Sequence, residues 1–160
     1  MLRNTIILLL TLLMCSCSRH PSVPTEARTA EAWPDIYPDY VDVTVPSNIA
    51  PLNFMASDAA VSKVVARVTA ADGTMQTYGE GNKVVIPEDE WQALRNASKG
   101  GDLTVEYFAL TADEWTAYRP FAIHVAADEM DRYVSYRLLD PSYVIYYKMS
   151  INQRDITSFD

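Results

Sequence analysis

The fold of this 160-residue chain is decided by a stretch near its middle: VSKVVARVTA at residues 61–70, ADG at 71–73 and TMQTY at 74–78. Both outer runs favour strands, and the Asp-Gly between them supplies the positive φ that a tight turn needs. The stretch therefore predicts a β-hairpin in which Val61 to Ala70 pairs with Thr74 to Tyr78.

Apolar residues that alternate with polar ones predict further strands on both sides of this hairpin. The clearest is Val41 to Val45, which Pro46 ends. The others are Ile49 to Met55, Lys83 to Ile86, Asp102 to Thr111 and Arg119 to Ala126. In this arrangement Asp113, Glu114 and Trp115 lie in the connection between the last two strands.

One short helix is predicted after Pro87, because proline suits a first turn and Glu88, Asp89 and Glu90 suit the positive end of the helix dipole. Gly100 then supplies the stop. Five to seven short strands with one small helix indicate an antiparallel β-sandwich of immunoglobulin-like type. A small α+β domain is the alternative.

The composition excludes several classes of function. Thirteen Lys and Arg against 21 Asp and Glu give a net charge of −8, so the chain repels phosphate backbones and we expect no nucleic-acid partner. A hydrophobic fraction of 49% with 21% charged residues indicates a packed core. With two Cys and two His, neither a zinc cluster nor a disulfide framework is expected.

The N-terminal segment is predicted to be an export signal. Its apolar run, from Ile6 to Met14, is shorter than the roughly 20 residues that a membrane span needs. The following Leu13-Met14-Cys15-Ser16-Cys17 resembles a bacterial lipobox, with Ser16 before the cut and Cys17 after it. Cys15 is the weaker candidate because bulky Met14 precedes it. The resemblance implies that residues 1–16 are removed and that Cys17 carries acyl chains.

Such acyl chains would hold the protein on a membrane surface without a span. Ser18, rather than Asp, after Cys17 resembles the signal for sorting to the outer membrane. Arg19, His20 and Pro21 lack the acidic run associated with surface export, which favours a periplasm-facing orientation. The alternative is an ordinary cleaved signal with two incidental cysteines.

Residues 17–38 contain four prolines and no sustained apolar periodicity, so they are predicted to form an extended tether. Trp33 and Tyr37, near the end of this segment, are expected to dock onto the domain that residues 39–160 form.

The sequence offers few residues for chemistry, and we predict no enzyme, no catalytic residue, no metal site and no cofactor. The acids at 88–90 are explained by the helix dipole. Asp128, Glu129 and Asp131 lack the alternating pattern and central glycine of a calcium loop. His124 has no nucleophile motif to serve and is interpreted as structural.

An aromatic segment is the candidate interaction surface. Half of the tyrosines lie between residues 133 and 147, and they could stack on sugar rings or cover a neighbouring domain, the latter being favoured. With one tryptophan, the candidate surface residues are Trp115, Tyr133, Tyr136, Tyr143, Tyr146 and Tyr147.

Two C-terminal strings, YVSYRLLDPSY at 133–143 and SINQRDITSF at 150–159, resemble a segment of larger Bacteroidetes lipoproteins. Residues 40–54 are similar to the N-terminal region of the same proteins. Those lipoproteins resemble TolB-type β-propellers preceded by a β domain, so the resemblance implies that this chain is the leading domain of a longer architecture. A haem-attachment motif expected in that family after the Gln-Arg-Asp segment is absent here, so no haem function is carried over.

The expected function is therefore a lipid-anchored, non-catalytic spacer or interaction module of the bacterial envelope, with a protein or glycan partner. A carbohydrate-binding module that uses Trp115 and the tyrosines is the alternative, and a hydrolase built on scattered carboxylates comes third.

Overall fold

A computed structural model describes residues 20–139 and 149–159. This part of the chain is a mainly β domain with one helix, as the sequence predicts. The helix is α1 (Glu88–Ala97). The strands are β1 (Arg28–Thr29), β2 (Ile36–Tyr37), β3 (Val43–Val45), β4 (Phe54–Ala56), β5 (Val61–Thr69), β6 (Met75–Tyr78), β7 (Lys83–Val84), β8 (Gly101–Thr111), β9 (Glu114–Ala117), β10 (Phe121–Val125), β11 (Tyr133–Leu139) and β12 (Met149–Asp155).

The long strand β8 is the axis of a seven-stranded sheet. Strand β5 pairs along one side of it, while β10 and β9 pair along the other side at successive positions. The predicted hairpin is confirmed, since β5 and β6 pair from Ala66↔Tyr78 to Thr69↔Met75. Gly73 has a φ of 89° in the connecting turn, which is the left-handed conformation expected of the Asp-Gly pair.

Two pairings in this sheet are parallel, which the antiparallel prediction did not include. Strand β1 runs parallel to β9, and β3 runs parallel to β10. Neither pair is joined by a tight turn, because each partner comes from a distant part of the chain. Nothing local therefore imposes the antiparallel direction that a two-residue hairpin requires.

A second, three-stranded sheet in the order β2-β4-β7 covers one face of the larger sheet. Phe54 of the small sheet meets Tyr107 of β8 with ring centroids 6.0 Å apart. Both residues belong to one apolar core, to which the alternating residues of β8 contribute. Two packed sheets of this kind explain why strand residues alternate between buried and exposed.

Helix α1 begins and ends where the sequence predicts. Pro87 precedes it, three acids occupy its first turn, and Gly100 has a φ of 76° after its end. Trp91 and Leu94 are buried among the core residues. The helix therefore contributes one apolar face to the core.

The segment predicted as an extended tether is part of the folded domain from His20 onward. Its strand β1 pairs with β9, and its strand β2 pairs with β4. Ile36 is buried in the core, and the hydroxyl of Thr77 donates a hydrogen bond of 2.7 Å to the backbone oxygen of Pro21. An extended backbone without its own hydrogen bonds is well suited to extend a sheet edge, which explains the difference.

Trp33 and Tyr37 contact the domain, but their side chains remain largely exposed. The guanidinium of Arg119 lies 4.9 Å from the centroid of the Trp33 ring. Tyr37 pairs through its backbone with Met55 while its ring faces solvent.

The connection predicted at residues 113–115 is correct for Asp113, which lies in a turn, and wrong for Glu114 and Trp115, which belong to strand β9. The turn before it is tight, with positive φ at Ala112 and Asp113. Asp tolerates that conformation better than most residues, so no glycine marks this turn in the sequence.

Candidate functional site

Strands β11 and β12 form a two-stranded antiparallel sheet of their own, the β11–β12 hairpin. Seven residue pairs join the strands, from Tyr133↔Asp155 to Leu139↔Met149. Every residue of β11 is exposed. A sheet of two strands with both faces in water is only marginally stable by itself, so this element is the candidate for a surface that meets a partner.

Backbone hydrogen bonds fix the base of this hairpin to the loop that follows β3. The Ala50 amide donates to the Ile156 oxygen at 2.8 Å, and the Ile156 amide donates to the Arg132 oxygen at 2.9 Å. The side chain of Asn48 both donates to and accepts from the backbone of Met130, at 2.8 and 3.1 Å. The base is thus part of the domain, whereas the strands extend away from it.

Helix α1 holds the same loop from the other side. The indole Nε1 of Trp91 donates to the Ile49 oxygen at 2.8 Å, and the buried guanidinium of Arg95 donates to the Ser47 oxygen. Desolvation lowers the pKa of Arg95. The core is therefore connected to the hairpin base through two helix side chains.

Both faces of the hairpin carry exposed apolar side chains, and on one face these are Tyr133 and Leu139 of β11 with Met149 and Ile151 of β12. Val134, Tyr136 and Leu138 share the other face, because side chains alternate along a strand. They lie opposite Arg154, Asn152 and Ser150 of β12. The exposed fractions of the three β11 side chains are 38%, 43% and 55%, so a continuous apolar stripe faces water.

The two predicted surface tyrosines that the structure describes, Tyr133 and Tyr136, do not share a face. Tyr133 and Tyr136 are three residues apart on a strand, which places them on opposite faces. The Tyr133 ring lies 5.3 Å from the guanidinium carbon of Arg132. Tyr143, Tyr146, Tyr147 and Cys17 lie outside the described residues.

Trp115 and the chain that leads to the hairpin lie at opposite ends of β8. Trp115 pairs with Leu110 of β8, whereas the chain leaves the sheet for the hairpin after Val125, which pairs with Gly101. The length of β8 between Gly101 and Leu110 is about 30 Å. The chain therefore enters the hairpin from the end of β8 opposite to Trp115.

Trp115 borders a polar cleft of about 680 Å³ at the N-terminal ends of the paired strands β1 and β9. The carboxylate residues Glu26, Asp113 and Glu114 line this cleft together with Arg28. Sequence reasoning missed this cluster because residues 25–28 were assigned to the tether.

A smaller cavity of about 170 Å³ lies where the hairpin base meets the domain. Its lining includes Tyr40 and Leu52 from the domain with Ile156 and the exposed Phe159 from the C-terminal side. This cavity is large enough for an apolar side chain rather than for a metabolite.

His124 bridges two carboxylates on the solvent face of the large sheet. Its Nδ1 lies 2.7 Å from Oδ1 of Asp102, and its Nε2 lies 3.0 Å from Oδ1 of Asp42. The hydrogen bond to Asp102, followed by that to Asp42, raises the pKa of His124. With both ring nitrogens facing carboxylate oxygens, the imidazole ring joins β8, β10 and the residue before β3. The sequence does not predict this bridge, because Asp42 and His124 are 82 positions apart in the chain.

The acidic residues that the sequence offers as possible catalytic or calcium-binding groups lie in helix and loop contacts of the fold. Glu88, Asp89 and Glu90 occupy the first turn of α1. The Asp128 backbone oxygen accepts hydrogen bonds from Ser47, and Glu129 lies 3.5 Å from the Lys99 ammonium.

Within residues 20–139 and 149–159, no group of three or more His, Cys, Asp or Glu side chains is arranged to hold a metal ion. The helix found in those ranges is not long and apolar enough to cross a membrane. Comparison of the chain with protein-family models, with curated proteins and with solved structures finds no match.

Proposed function

We propose that this protein is a lipid-anchored, non-catalytic interaction module of a bacterial outer membrane, facing the periplasm, and that it binds a protein partner through the β11–β12 hairpin. The observation that carries the proposal is the exposed apolar stripe of Val134, Tyr136 and Leu138, on a sheet in which the described part of the chain has two strands.

The composition of the hairpin supports a protein partner. Tyrosine, methionine and arginine are enriched in protein interfaces, and all three occur on these strands. The base is held rigidly by the loop at residues 47–50, so the strands are presented in a fixed direction. Binding then costs little conformational entropy at the base.

The anchor is proposed from the lipobox-like residues that end at Cys17. Three residues of extended chain, at about 3.6 Å each, allow roughly 11 Å between Cys17 and His20. Because the chain is bound to the domain from His20 onward, the anchor would hold the β6 side of the domain next to the bilayer. This geometry favours an interaction module over a long spacer.

The anchor is tested by membrane fractionation with two single variants. We expect Cys17→Ala to release the protein from the membrane fraction and Cys15→Ala to leave it there. Equal membrane retention of both variants would contradict the lipid anchor.

The hairpin is tested by placing a photoreactive amino acid at Leu138 in cells. The matched control is the same amino acid at Tyr37, which is also exposed but lies on β2. We expect a discrete protein adduct from position 138 and none from position 37. Adducts at both positions, or at neither, would contradict a hairpin-specific interface.

Because the chain resembles propeller-bearing lipoproteins, we propose a β-propeller as the neighbour of this domain. A β-propeller next to the hairpin would cover part of the exposed stripe. In the photocrosslinking experiment, a propeller neighbour would appear as an adduct whose mass includes a propeller protein.

A carbohydrate-binding function is the second candidate, because Trp115 lies in a cleft with carboxylates and Arg28. An aromatic ring flanked by hydrogen-bonding groups is suited to sugars. Glycan-array binding that Trp115→Ala abolishes would support this candidate, and absence of binding across the array would remove it.

A further inference from the structure

We infer that β11 pairs with β11 of a second copy of this chain, antiparallel about a two-fold axis at Tyr136. The two hairpins would then form one four-stranded sheet. This inference rests on the proposed function and names the partner of its hairpin.

The first support is the unpaired edge of β11. This strand pairs with β12 on one side, and its sheet has no third strand in the described part of the chain. All seven residues of β11 are exposed. An open edge of this length offers free backbone donors and acceptors to another strand.

The second support is the sequence of β11, whose polarity is nearly symmetric about Tyr136. With Tyr136 opposite itself, Val134 lies opposite Leu138 and Tyr133 lies opposite Leu139 of the second copy. Arg137 lies opposite the neutral Ser135. Apolar residues thus face apolar residues, no like charges meet, and cross-strand pairs of this kind stabilise a sheet.

The same register joins the two apolar stripes. Residues that lie opposite each other in an antiparallel pair share a face, so Val134, Tyr136 and Leu138 of both copies form one continuous surface. The second copy would place its own stripe beside the first, in the plane of the sheet.

Other registers are less favourable. A shift of two positions one way places Arg137 opposite Arg137, and the same shift the other way leaves Leu138 and Leu139 without partners. A shift of one position aligns the apolar face with the opposite face of the second copy. Self-pairing of β12 about its central residue, Asn152, places Ile151 opposite Gln153 and Met149 opposite Asp155, so no two apolar residues meet in the register that pairs all seven residues of β12.

Charge also favours contact through this element. The whole chain carries a net charge of −8, but β11 and β12 together contain two arginines and one aspartate. Two copies that meet at their hairpins therefore keep their acidic domains apart. Lipid anchoring of both copies in one bilayer would raise their effective concentration.

Cysteine scanning of the full chain in native membranes tests the pairing. Tyr136→Cys should form a disulfide dimer under mild oxidation, because cross-strand Cβ atoms at that position are about 5 Å apart. Val134→Cys alone and Leu138→Cys alone should not, since each position lies two residues from the axis and is therefore separated from its copy by four residues along the strand, about 14 Å. The double variant Val134→Cys/Leu138→Cys should again form the dimer.

We expect the dimer yield of Tyr136→Cys and of the double variant to exceed that of either single variant by about tenfold, as the disulfide distance limit requires. Equal yields at all positions would indicate random collision and overturn the pairing. Absence of dimers at every position would also overturn it. If Leu138 then gave a photocrosslink to another protein, the proposed function would stand without self-pairing.

The chain without an introduced cysteine is the control for disulfide formation through Cys17. A disulfide dimer of this chain would count against the lipid anchor, and the position dependence would then be measured in a Cys17→Ser background. Circular dichroism of each variant establishes that it is folded before its yield is compared.

Discussion

The indole of Trp91 in α1 donates a hydrogen bond of 2.8 Å to the backbone oxygen of Ile49, in the loop that carries the base of the β11–β12 hairpin. Trp91 is fully buried, while the neighbouring Ala50 amide donates to Ile156 just after β12. One buried side chain thus connects the core of the domain to its exposed candidate interface.

Replacement of Trp91 by Phe should destabilise the domain and loosen the hairpin base. Loss of a buried hydrogen bond that leaves the Ile49 oxygen unpaired costs about 1 to 3 kcal/mol. Denaturant unfolding measures the change, and Trp33→Phe is the control because Trp33 is half exposed. Equal effects of the two substitutions would contradict the role assigned to Trp91.

Replacement of Ile36 by Ala tests whether the segment before residue 39 belongs to the fold. Ile36 is buried in β2, so its truncation should lower the free energy of unfolding by about 2 to 5 kcal/mol. Tyr37→Ala, at the exposed next position, should change it by less than about 0.5 kcal/mol. A free tether would give no effect at either position.

Replacement of Gly79 by Ala should be strongly unfavourable for a steric reason. A Cβ at Gly79 would lie 2.2 Å from the backbone oxygen of Val64, and backbone cannot rotate away as a side chain can. Overpacking of this kind costs about 1 to 3 kcal/mol. Gly101→Ala is the matched control, because its Cβ would meet its nearest neighbour at 3.4 Å. Thermal unfolding measures both variants, and we expect the midpoint temperature of Gly79→Ala to be lower than that of Gly101→Ala.

The stabilising effect of His124 should depend on pH. Because its carboxylate partners raise its pKa in the folded state, the folded state binds the proton more tightly than the unfolded state does. The stabilisation is therefore fully present below the unfolded pKa and is lost as the pH rises through the folded pKa.

Denaturant unfolding of the wild type and of His124→Gln, at pH 5 and at pH 8.5, measures this effect. The difference between the two proteins should be larger at pH 5. A difference that grows toward pH 8.5 would contradict the bridge. His20→Gln in both proteins removes the other histidine from the comparison.

Sequence patterns predicted the helices and strands whose determining residues lie close together in the chain. The β5–β6 hairpin follows from Asp72-Gly73 between two β-favouring runs, and α1 follows from Pro87, three acids and an apolar face. The buried face of β8 follows from strict alternation. In each of these elements the determining residues lie within a few positions of one another.

Strands that form only by pairing with residues far away in the sequence were not predicted. Strands β1 and β2 are two residues long, too short to have a period, and they exist because sheet edges far along the chain accept them. The His124 bridge and the Trp115 cleft likewise depend on residues brought together by folding. The opposite orientation of Tyr133 and Tyr136 could have been predicted, since their spacing of three places them on different faces of any strand.

Coverage of the β11–β12 hairpin by a protein partner at the membrane is tested most directly by hydrogen exchange of the residue 133–139 amides, in native membranes and in protein extracted and diluted in detergent. We expect slow exchange of these amides in the membrane and fast exchange after dilution, with β8 equally protected in both samples. Equally fast exchange of β11 in both samples would show that no partner covers the hairpin.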